Sequence, residues 1–211
     1  TKGRYPEWPL QRLGRQGAAP EIRAGDMEMI AQPMDYIGLN YYSPARTAAE
    51  PNDPEGWKGL ARPPQAPRQD MPGWEVFAPG IRSQLLRYHQ RYGLPIYVTE
   101  NGMGLHDGPE EEPDADGRVH DVRRVDFLKR HLAEIRRAMD QGADVRGYFH
   151  WSLMDNFEWA FGYTLRFGLV RVNGKTYQRT PKDSALWYRD FIKAGGFEAD
   201  YEDKPSNWGG N

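Results

Sequence analysis

Three short segments of the chain are rich in apolar, aromatic and β-branched residues and are bounded by polar or turn-forming residues. They are Asp35–Tyr41, Pro95–Thr99 and Val145–Trp151. Short runs of this kind predict buried β-strands. Each run ends in polar or aromatic residues, so a functional site is first to be sought at the strand ends.

Helical periodicity fills the stretches around these strands. The segments predicted as helices are Glu21–Ala31, Pro79–Tyr92, Val122–Gln141 and Pro181–Lys193. In the third of them apolar residues recur at spacings of three and four, which is typical of a helix that covers a sheet. These residues are Val125, Leu128, Leu132, Ile135 and Met139. Asp121 precedes that helix and is its candidate N-cap.

Single strands that alternate with helices favour a parallel sheet with βαβ crossovers, either doubly wound or closed into a barrel. A (β/α) barrel needs about eight strands, and three strands alone leave exposed edges. The chain is therefore expected to be part of a larger α/β fold.

Two long loops follow predicted strand ends. Ser43–Gly73 is rich in proline, glycine and arginine, and Leu105–His120 carries three consecutive glutamates. Loops of this length are usually functional lids or disordered segments, and their position favours lids. Tyr201–Asn211 is predicted to be a polar tail.

Charge and composition narrow the class of ligand. The 28 basic and 30 acidic residues give a formal net charge of −2 and are mixed along the chain, so no field favours nucleic acid or an anionic membrane. No apolar run reaches the roughly 20 residues that span a bilayer, which indicates a soluble protein; the compartment stays open, with the cytoplasm favoured. The 7 Trp and 12 Tyr suit sugars, which have an apolar ring face and hydroxyl edges, although a large aromatic core explains them equally well.

Neither a metal nor another cofactor is expected. The chain has no cysteine, which excludes disulfides and thiolate ligands. None of the five histidines forms an HxH or HExxH pair. Asp114, Asp116 and Asp121 resemble a calcium loop only faintly, because they lack the EF-hand spacing.

Glu100 stands at the carboxyl end of a predicted strand and is followed by Asn101 and Gly102. Barrel enzymes place catalytic groups at such positions. A glutamate that caps a turn or pairs with a surface arginine is the commoner explanation of this pattern, so Glu100 taken alone is a weak signal.

The segment Trp151–Tyr163 changes the balance. It places aromatic side chains and two acids, Asp155 and Glu158, directly beyond a strand end. Acidic side chains are rarely buried without partners, and a hydroxyl-rich ligand supplies such partners. The alternative is structural, with Trp151 and Trp159 in the core and Glu158 in a salt bridge.

At these two places the chain resembles family 1 glycoside hydrolases, which include β-glucosidases, β-galactosidases and phospho-β-glycosidases. YVTENG at 97–102 is similar to the family's nucleophile motif, and WSLMDNFEWAFGY at 151–163, followed by RFGL at 166–169, is similar to its glycone-binding segment. Further agreement, in family order, lies at GRYP (3–6), DYIGLNYY (35–42), DGRVHD (116–121) and KDSALWY (182–188).

The resemblance implies an α/β fold of the (β/α)8 TIM barrel type, to which this chain supplies about the last three βα units, strands 6 to 8. Residues 1–197 would then be the C-terminal part of a single glycosidase domain, and residues 198–211 a C-terminal tail.

The resemblance also implies roles for individual residues. Glu100 is implied to be the nucleophile at the end of the seventh strand, with Tyr42 as a hydrogen-bond donor that favours its ionised form. Glu158 is implied to accept hydrogen bonds from the 4- and 6-hydroxyls of the sugar, and Trp159 to reach the 3-hydroxyl. The other implied sugar contacts are Trp151 beneath the ring, Phe167 in an apolar wall, and Asn40.

The implied activity is retaining hydrolysis of β-D-glycosides through a covalent glycosyl-Glu100 intermediate. Phospho-sugar members of the family carry Ser and Lys where this chain has Ala160 and Phe161, so an unphosphorylated substrate is expected. A retaining enzyme also needs a second carboxyl group about 5 to 5.5 Å from the first. In the family that acid/base glutamate lies in an Asn-Glu-Pro motif after the fourth strand, and this tripeptide is absent here; Glu50-Pro51 and Glu112-Pro113 fall in the long loops.

The expected partner is therefore an N-terminal half-barrel polypeptide of the same enzyme, without which the isolated chain is expected to be inactive. One alternative is a catalytically inactive half-barrel fragment. Another is a carbohydrate-binding module, which has no need of a strand-end glutamate before Asn-Gly, and a third is a metal-dependent barrel hydrolase.

Overall fold

The computed structural model describes residues 3–53 and 55–197. Its helices are α1 (Glu7–Arg15), α2 (Asp26–Ile30), α3 (Pro79–Tyr92), α4 (Val122–Asp140) and α5 (Asp183–Ala194). Its strands are β1 (Ile37–Asn40), β2 (Thr47–Ala49), β3 (Trp57–Gly59), β4 (Ile96–Asn101), β5 (Leu105–His106), β6 (Val145–His150), β7 (Leu165–Arg166), β8 (Val170–Val172) and β9 (Arg179–Pro181). None of the helices in these ranges combines the length and the apolar character needed to cross a membrane. The predicted tail, residues 198–211, lies outside the described residues.

The central sheet has three parallel strands in the order β1, β4, β6. Val98 of β4 lies opposite Leu39 of β1 on one side and Tyr148 of β6 on the other. Parallel neighbours need crossover connections, and α3 and α4 lie in the two connections along the chain. The three predicted strands and their parallel arrangement are therefore confirmed.

Helices α3, α4 and α5 cover one face of this sheet with apolar residues. Val98 belongs to one buried cluster with Leu85 of α3 and with Leu128 and Ile135 of α4. Each such side chain contributes about 1.5–3 kcal/mol relative to an exposed one. The apolar stripe predicted for α4 is confirmed at its centre, whereas Met139 at its end is exposed.

Replacement of Leu85 by alanine is expected to lower the free energy of unfolding by about 2–5 kcal/mol. Leu85 is fully buried between α3 and the sheet, so its removal leaves a cavity. Urea unfolding followed by circular dichroism measures the change. Leu186→Ala in α5 is the control, because Leu186 is exposed and its loss is expected to cost about 0.5 kcal/mol or less. Equal effects of the two substitutions would contradict this packing.

Two elements near the amino terminus differ from the prediction. No helix is predicted at α1, because Pro9 and Gly14 interrupt its pattern. Pro9 is tolerated since it lies in the first turn, where backbone N–H groups have no intrahelical partner. The helix predicted at Glu21–Ala31 is reduced to α2, because Gly25 precedes α2 in a left-handed conformation with φ of 90° that excludes the earlier residues.

Asp121 occupies the predicted N-cap position of α4 but does not cap the helix with its side chain. Its buried carboxylate accepts a hydrogen bond from Arg124 Nη1 at 2.5 Å and another from the backbone N–H of Ser184 at 2.8 Å. The carboxylate is thus bound by the side chain of Arg124 and by Ser184 instead of by the backbone N–H groups of α4.

The two long loops carry defined structure. The first contains the β2–β3 hairpin, and Asp70 near its end accepts two hydrogen bonds from Arg123 of α4, at 3.0 and 3.1 Å. The second loop begins with β5, which pairs with β7, and Glu110 in this loop also binds Arg123. Arg123 thus ties both loops to the start of α4. Their role as lids stays a prediction.

His120 connects the end of the second long loop to the start of α5 through hydrogen bonds. Its Nδ1 lies 2.7 Å from Asp183 Oδ2 and its Nε2 lies 2.9 Å from Asp114 Oδ2. The hydrogen bonds to Asp183 and then to Asp114 raise the pKa of His120. A raised pKa in the folded state adds stability below the unfolded-state pKa of about 6.5, and that stability is lost as the pH rises through the folded-state pKa.

His120→Gln is therefore expected to flatten the pH dependence of stability. As the pH rises above about 6.5, the Tm of the wild-type protein should fall more steeply than the Tm of the variant. Thermal unfolding at stepped pH measures the difference. His106→Gln in the same loop is the control, because the His106 ring contacts the carbonyl of Thr164 rather than two carboxylates. Parallel curves for wild type and His120→Gln would contradict the interpretation.

The face of the sheet opposite the helices is open. Phe149 is 58% exposed and Tyr36 is 53% exposed, and Asn40 and Thr99 are also exposed. Strands β1 and β6 form the two edges, and neither has a further partner strand within the described ranges. An apolar face with two unpaired edges agrees with the expectation that the three strands belong to a larger sheet.

Candidate active site

Glu100 and Tyr42 meet at the carboxyl ends of β1 and β4. The parallel pairing places Asn40 opposite Glu100, and the backbone N–H of Tyr41 donates to the carbonyl of Glu100 at 2.9 Å. One residue later, the phenol Oη of Tyr42 donates a hydrogen bond to Glu100 Oε2 at 2.8 Å. The structure thus brings together the two residues predicted to form the catalytic pair.

The phenol of Tyr42 is a permanent donor at neutral pH. Burial raises the pKa of Tyr42 well above its usual range, and the hydrogen bond to Glu100 and the negative charges of Glu100 and Glu158 raise it further. A hydrogen bond from a hydroxyl to an ionised carboxylate is shorter and stronger than a neutral one. The carboxylate of Glu100 is therefore held in one orientation.

Two further aromatic rings hold Tyr42. Trp74 lies against it with ring centroids 5.0 Å apart, and Phe167 meets it edge-on with centroids 6.2 Å apart. Trp74 directly follows the first long loop, where the sequence pattern predicts no site residue. A loop has no periodicity from which the direction of a side chain can be predicted, so the available signal was an isolated tryptophan beside a candidate lid.

Trp74 is fixed through the residue that follows it. Glu75 is buried and accepts two hydrogen bonds from Arg46, from Nε at 2.8 Å and from Nη2 at 2.7 Å. The backbone N–H of Glu75 donates to Ser43 Oγ at 2.9 Å. Bidentate arginine–carboxylate pairs have a defined geometry, so the beginning and the end of the loop are joined beside the site.

Asn101 joins the ends of all three central strands. Its side chain is fully buried, with Nδ2 donating to the carbonyl of Tyr41 at 2.7 Å and Oδ1 accepting from Tyr148 Oη at 2.9 Å. Its own carbonyl accepts from the backbone N–H of Trp151 at 3.0 Å. Because Asn101 follows Glu100, these bonds fix the position of Glu100 along the strand direction relative to both neighbouring strands. The sequence pattern indicated Asn101 only as part of a turn.

Glu158 lies in the segment after β6 and belongs to the same site as Glu100. Burial raises the pKa of Glu158, hydrogen bonds from Trp151 and Asn156 oppose the rise, and the negative charge of Glu100 adds to it. Glu158 Oε2 is buried and has no hydrogen-bond partner in the described part of the chain. A buried carboxylate oxygen without a partner is costly, so this oxygen is suited to accept a ligand hydroxyl.

The other predicted sugar contacts differ in their surroundings. Trp159 is 82% exposed, so the alternative that places it in the core is wrong. Phe167 is 2% exposed and packs edge-on against Tyr42. Asn40 is exposed, and its Oδ1 accepts a hydrogen bond from Thr99 Oγ1 at 2.6 Å. Their contacts with a sugar stay predictions.

The glutamates of the two Glu-Pro pairs are bound elsewhere. Glu50 pairs with Lys58 at 2.8 Å, and Glu112 pairs with Arg171 at 2.6 Å. Both are ion pairs of the loops, which agrees with their interpretation as loop residues. Neither glutamate contributes to the charge around Glu100.

Histidines and acids do not gather into a metal site among residues 3–53 and 55–197, where no group of three or more potential ligands occurs. His131 is buried in the described structure, and both ring nitrogens of the partly buried His150 are shielded from solvent. Burial lowers the pKa of His150 to about 3 and the pKa of His131 to about 4. Both rings are therefore neutral at physiological pH.

The arrangement is suited to a polyhydroxylated ligand. It combines a carboxylate aimed by a phenol, a second carboxylate with an unpaired oxygen, and the exposed indole of Trp159. Aromatic faces pack against the CH side of a sugar ring, and a carboxylate is a strong acceptor for hydroxyl groups.

Comparison with known proteins agrees with this site. The model of glycosyl hydrolase family 1 matches residues 1–197. A bifunctional β-D-glucosidase/β-D-fucosidase from Bifidobacterium breve is 44% identical over 179 residues, which cover 80% of this chain and 39% of the relative. β-Glucosidase A from Thermotoga maritima is 40% identical over 198 residues, which cover 93% of this chain and 42% of the relative.

The solved structure of a family 1 β-glucosidase from Thermotoga maritima superposes with a TM-score of 0.83 at 39% identity, covering 93% of this chain and 43% of that chain. This similarity supports the predicted barrel type of fold. The chain spans about two-fifths of the length of the relatives it matches. From these matches and from the motifs that form the site, the chain belongs to glycosyl hydrolase family 1.

Proposed function

We propose that this chain carries the nucleophile and the sugar-binding residues of a retaining β-glycosidase that hydrolyses unphosphorylated β-D-glycosides, with β-glucosides as the leading class. The observation that carries the proposal is the 2.8 Å hydrogen bond from Tyr42 to Glu100, formed beside Glu158. A nucleophilic carboxylate must be ionised and aimed, and a phenol donor favours both.

In the proposed reaction an oxygen of Glu100 attacks the anomeric carbon, the bond to the leaving oxygen breaks, and a glycosyl ester forms. A second carboxyl group protonates the leaving oxygen and then takes a proton from the water that hydrolyses the ester. Tyr42 keeps the carboxylate of Glu100 aimed during attack, and Glu158 accepts the hydroxyls of the sugar ring. The binding free energy from contacts with the sugar ring can then stabilise the transition state.

The second carboxyl group is proposed to come from an N-terminal portion of the barrel, to which this chain adds strands 6 to 8. The chain covers 39% to 43% of its relatives, and β1 and β6 have no outer partner strand within the described ranges. Further parallel strands at these edges would satisfy the backbone groups and cover Phe149 and Tyr36. A barrel removes sheet edges in this way.

The proposed substrate is an uncharged sugar because Ala160 and Phe161 offer no cation to a phosphate. The names of the relatives give β-glucosides and β-fucosides, and solved complexes of the Thermotoga maritima β-glucosidase hold castanospermine and deoxynojirimycin. The sugar class is carried over to this chain by that analogy.

Covalent labelling tests the proposed function. A 2-fluoro-β-glucoside with a good leaving group forms the glycosyl ester but hydrolyses slowly, so the ester accumulates. In the complete enzyme that contains this chain, peptide mapping by mass spectrometry is expected to place the adduct on Glu100. An adduct on another carboxylate would overturn the assignment. Sugar binding without turnover and without an adduct would instead favour a binding module or an inactive barrel.

A further inference from the structure

A cluster of charged side chains is buried behind the segment that carries Glu158. The positive members of this buried ion cluster are Arg124, Lys182 and Arg166, and the negative members are Glu111, Asp121 and Asp155. All except Arg166 and Asp155 are fully buried. Each of these charged groups has at least one partner of opposite charge, and Arg166 has a second, more exposed partner in Asp107.

Stability alone is a weak reason to bury so many charges. Apolar residues of equal volume often stabilise a fold as well as a buried ion pair does, because desolvation offsets the attraction. What the ion cluster adds is defined geometry, since each carboxylate is held by several donors. The cluster draws on the second long loop, α4, β7 and the residue before α5, and it reaches Asp155 through Lys182 and Arg166.

Asp155 joins the two ends of the segment that runs from β6 to β8. Its Oδ1 accepts from Lys182 Nζ and from the backbone N–H of Gly168, both at 3.0 Å. Its Oδ2 accepts from Arg166 Nη1 and from the backbone N–H of Val172, both at 3.3 Å. Asp155 lies near the beginning of the segment, and its four hydrogen-bond donors lie close to or beyond the end of the segment. A single carboxylate therefore joins the two ends of the segment.

The base of this loop has little freedom to adjust. A Cβ at Gly168 would lie 2.2 Å from the backbone nitrogen of Asp155, so the two chain segments touch directly. Lys182 Nζ is shared with Glu111 Oε2 at 2.5 Å. Lys182 therefore cannot follow a displaced Asp155 without losing its second partner.

The position of Asp155 is transmitted to Glu158 through the next residue. Asn156 accepts a hydrogen bond from Ser152 Oγ at 3.0 Å, and its side chain lowers the pKa of the Glu158 carboxyl two residues further along the chain. A shift of the Asp155 backbone thus moves Asn156, the next residue, and with it the polar surroundings of Glu158.

We propose that Asp155, held by Lys182 and Glu111, is a positioning residue that places Glu158 and thereby sets the preference for sugars carrying the hydroxyls that Glu158 accepts. The inference rests on the proposed function. A site built to bind a hydroxyl discriminates strongly against the analogue that lacks it. Displacement of Glu158 should therefore reduce discrimination more than it reduces the rate of the chemical step.

The test compares two substrates in the complete enzyme that contains this chain. An aryl β-glucoside carries the hydroxymethyl group at C5 and the matching aryl β-xyloside lacks it. The ratio of their kcat/KM values is measured for wild type, Asp155→Asn, Lys182→Gln and the reference Glu158→Gln, with active sites counted by 2-fluoroglucoside labelling. Asp155→Asn and Lys182→Gln are each expected to lower the ratio by about 10-fold, in the direction of Glu158→Gln.

A matched control lies in the same part of the molecule. Glu112→Gln removes the ion pair with Arg171 at 2.6 Å, which is next in sequence to the buried ion cluster but outside it. This variant should keep the wild-type ratio. If the ratio changed equally in Glu112→Gln, any loss of charge in this part of the molecule would affect selectivity, which would contradict a specific role of Asp155.

The outcomes separate the inference from the function on which it rests. A wild-type enzyme that hydrolyses neither substrate would reject the proposed function itself. An active wild type whose ratio falls in Glu158→Gln but not in Asp155→Asn or Lys182→Gln would overturn the positioning role, because a purely structural loss lowers both substrates equally. Failure of both variants to give titratable enzyme would also overturn it, since the cluster would then serve the fold alone.

Discussion

Glu100→Gly is expected to lower kcat/KM for an aryl β-glucoside by about 10⁴-fold or more, which is the order of loss when a covalent nucleophile is removed. The substitution takes away the oxygen proposed to attack the anomeric carbon, whereas Glu158, Trp151 and Trp159 remain. The loss should therefore appear in kcat, and binding of an uncharged, slowly hydrolysed aryl β-thioglucoside measured by calorimetry should change little. Steady-state kinetics of the complete enzyme give the comparison.

Glu50→Gly is a matched control for that experiment. Glu50 lies in the first long loop, outside the site. It carries one ion pair, with Lys58 at 2.8 Å. Its kinetics should stay close to those of wild type. A Glu100→Gly enzyme that retains a tenth or more of the wild-type rate would mean that another group forms the bond to the sugar.

Tyr42→Phe is expected to lower kcat by about 10²-fold, the order of loss when a reacting group leaves its productive geometry. Phenylalanine keeps the ring between Trp74 and Phe167, so the packing at 5.0 and 6.2 Å is retained. Only the 2.8 Å hydrogen bond to Glu100 is lost. The carboxylate can then rotate, and fewer bound substrates meet it in the geometry required for attack.

The split between kcat and KM is the informative measurement for Tyr42→Phe. The phenol is not proposed to hold the sugar hydroxyls, so KM should change much less than kcat. Tyr177→Phe is the control, because Tyr177 is exposed. Equal kcat values for wild type and Tyr42→Phe would show that the contact is structural.

The parts of the fold with a clear period were predictable from the sequence. β1, β4 and β6 are short apolar runs, and the bounds predicted for α3, Pro79–Tyr92, agree with the structure. The local signal was weaker for α1 and α2, where proline and glycine decide the helix ends. Neither helix buries a residue in the described structure, so no buried stripe marks its bounds in the sequence.

The candidate site was predictable where motifs lie at strand ends. Glu100, Tyr42 and Glu158 come together as the resemblance implied. Trp74 and Asn101 were missed as parts of the site for different reasons. Trp74 reaches Tyr42 from a loop whose path depends on the distant Arg46–Glu75 pair, and the role of Asn101 depends on partners in two other strands.

The buried amide of Asn101 has a consequence for attempts to engineer this protein. Asn101 binds the ends of β1 and β6 and directly follows Glu100 in β4. A library that randomises position 101 therefore disturbs Glu100, Tyr42 and Trp151 together, and most of its members should lose function. Diversity is better confined to the exposed turns of the two long loops, residues 56–60 and 112–118, because Ser43, Arg46 and Glu111 in the same loops hold Trp74 and the buried ion cluster.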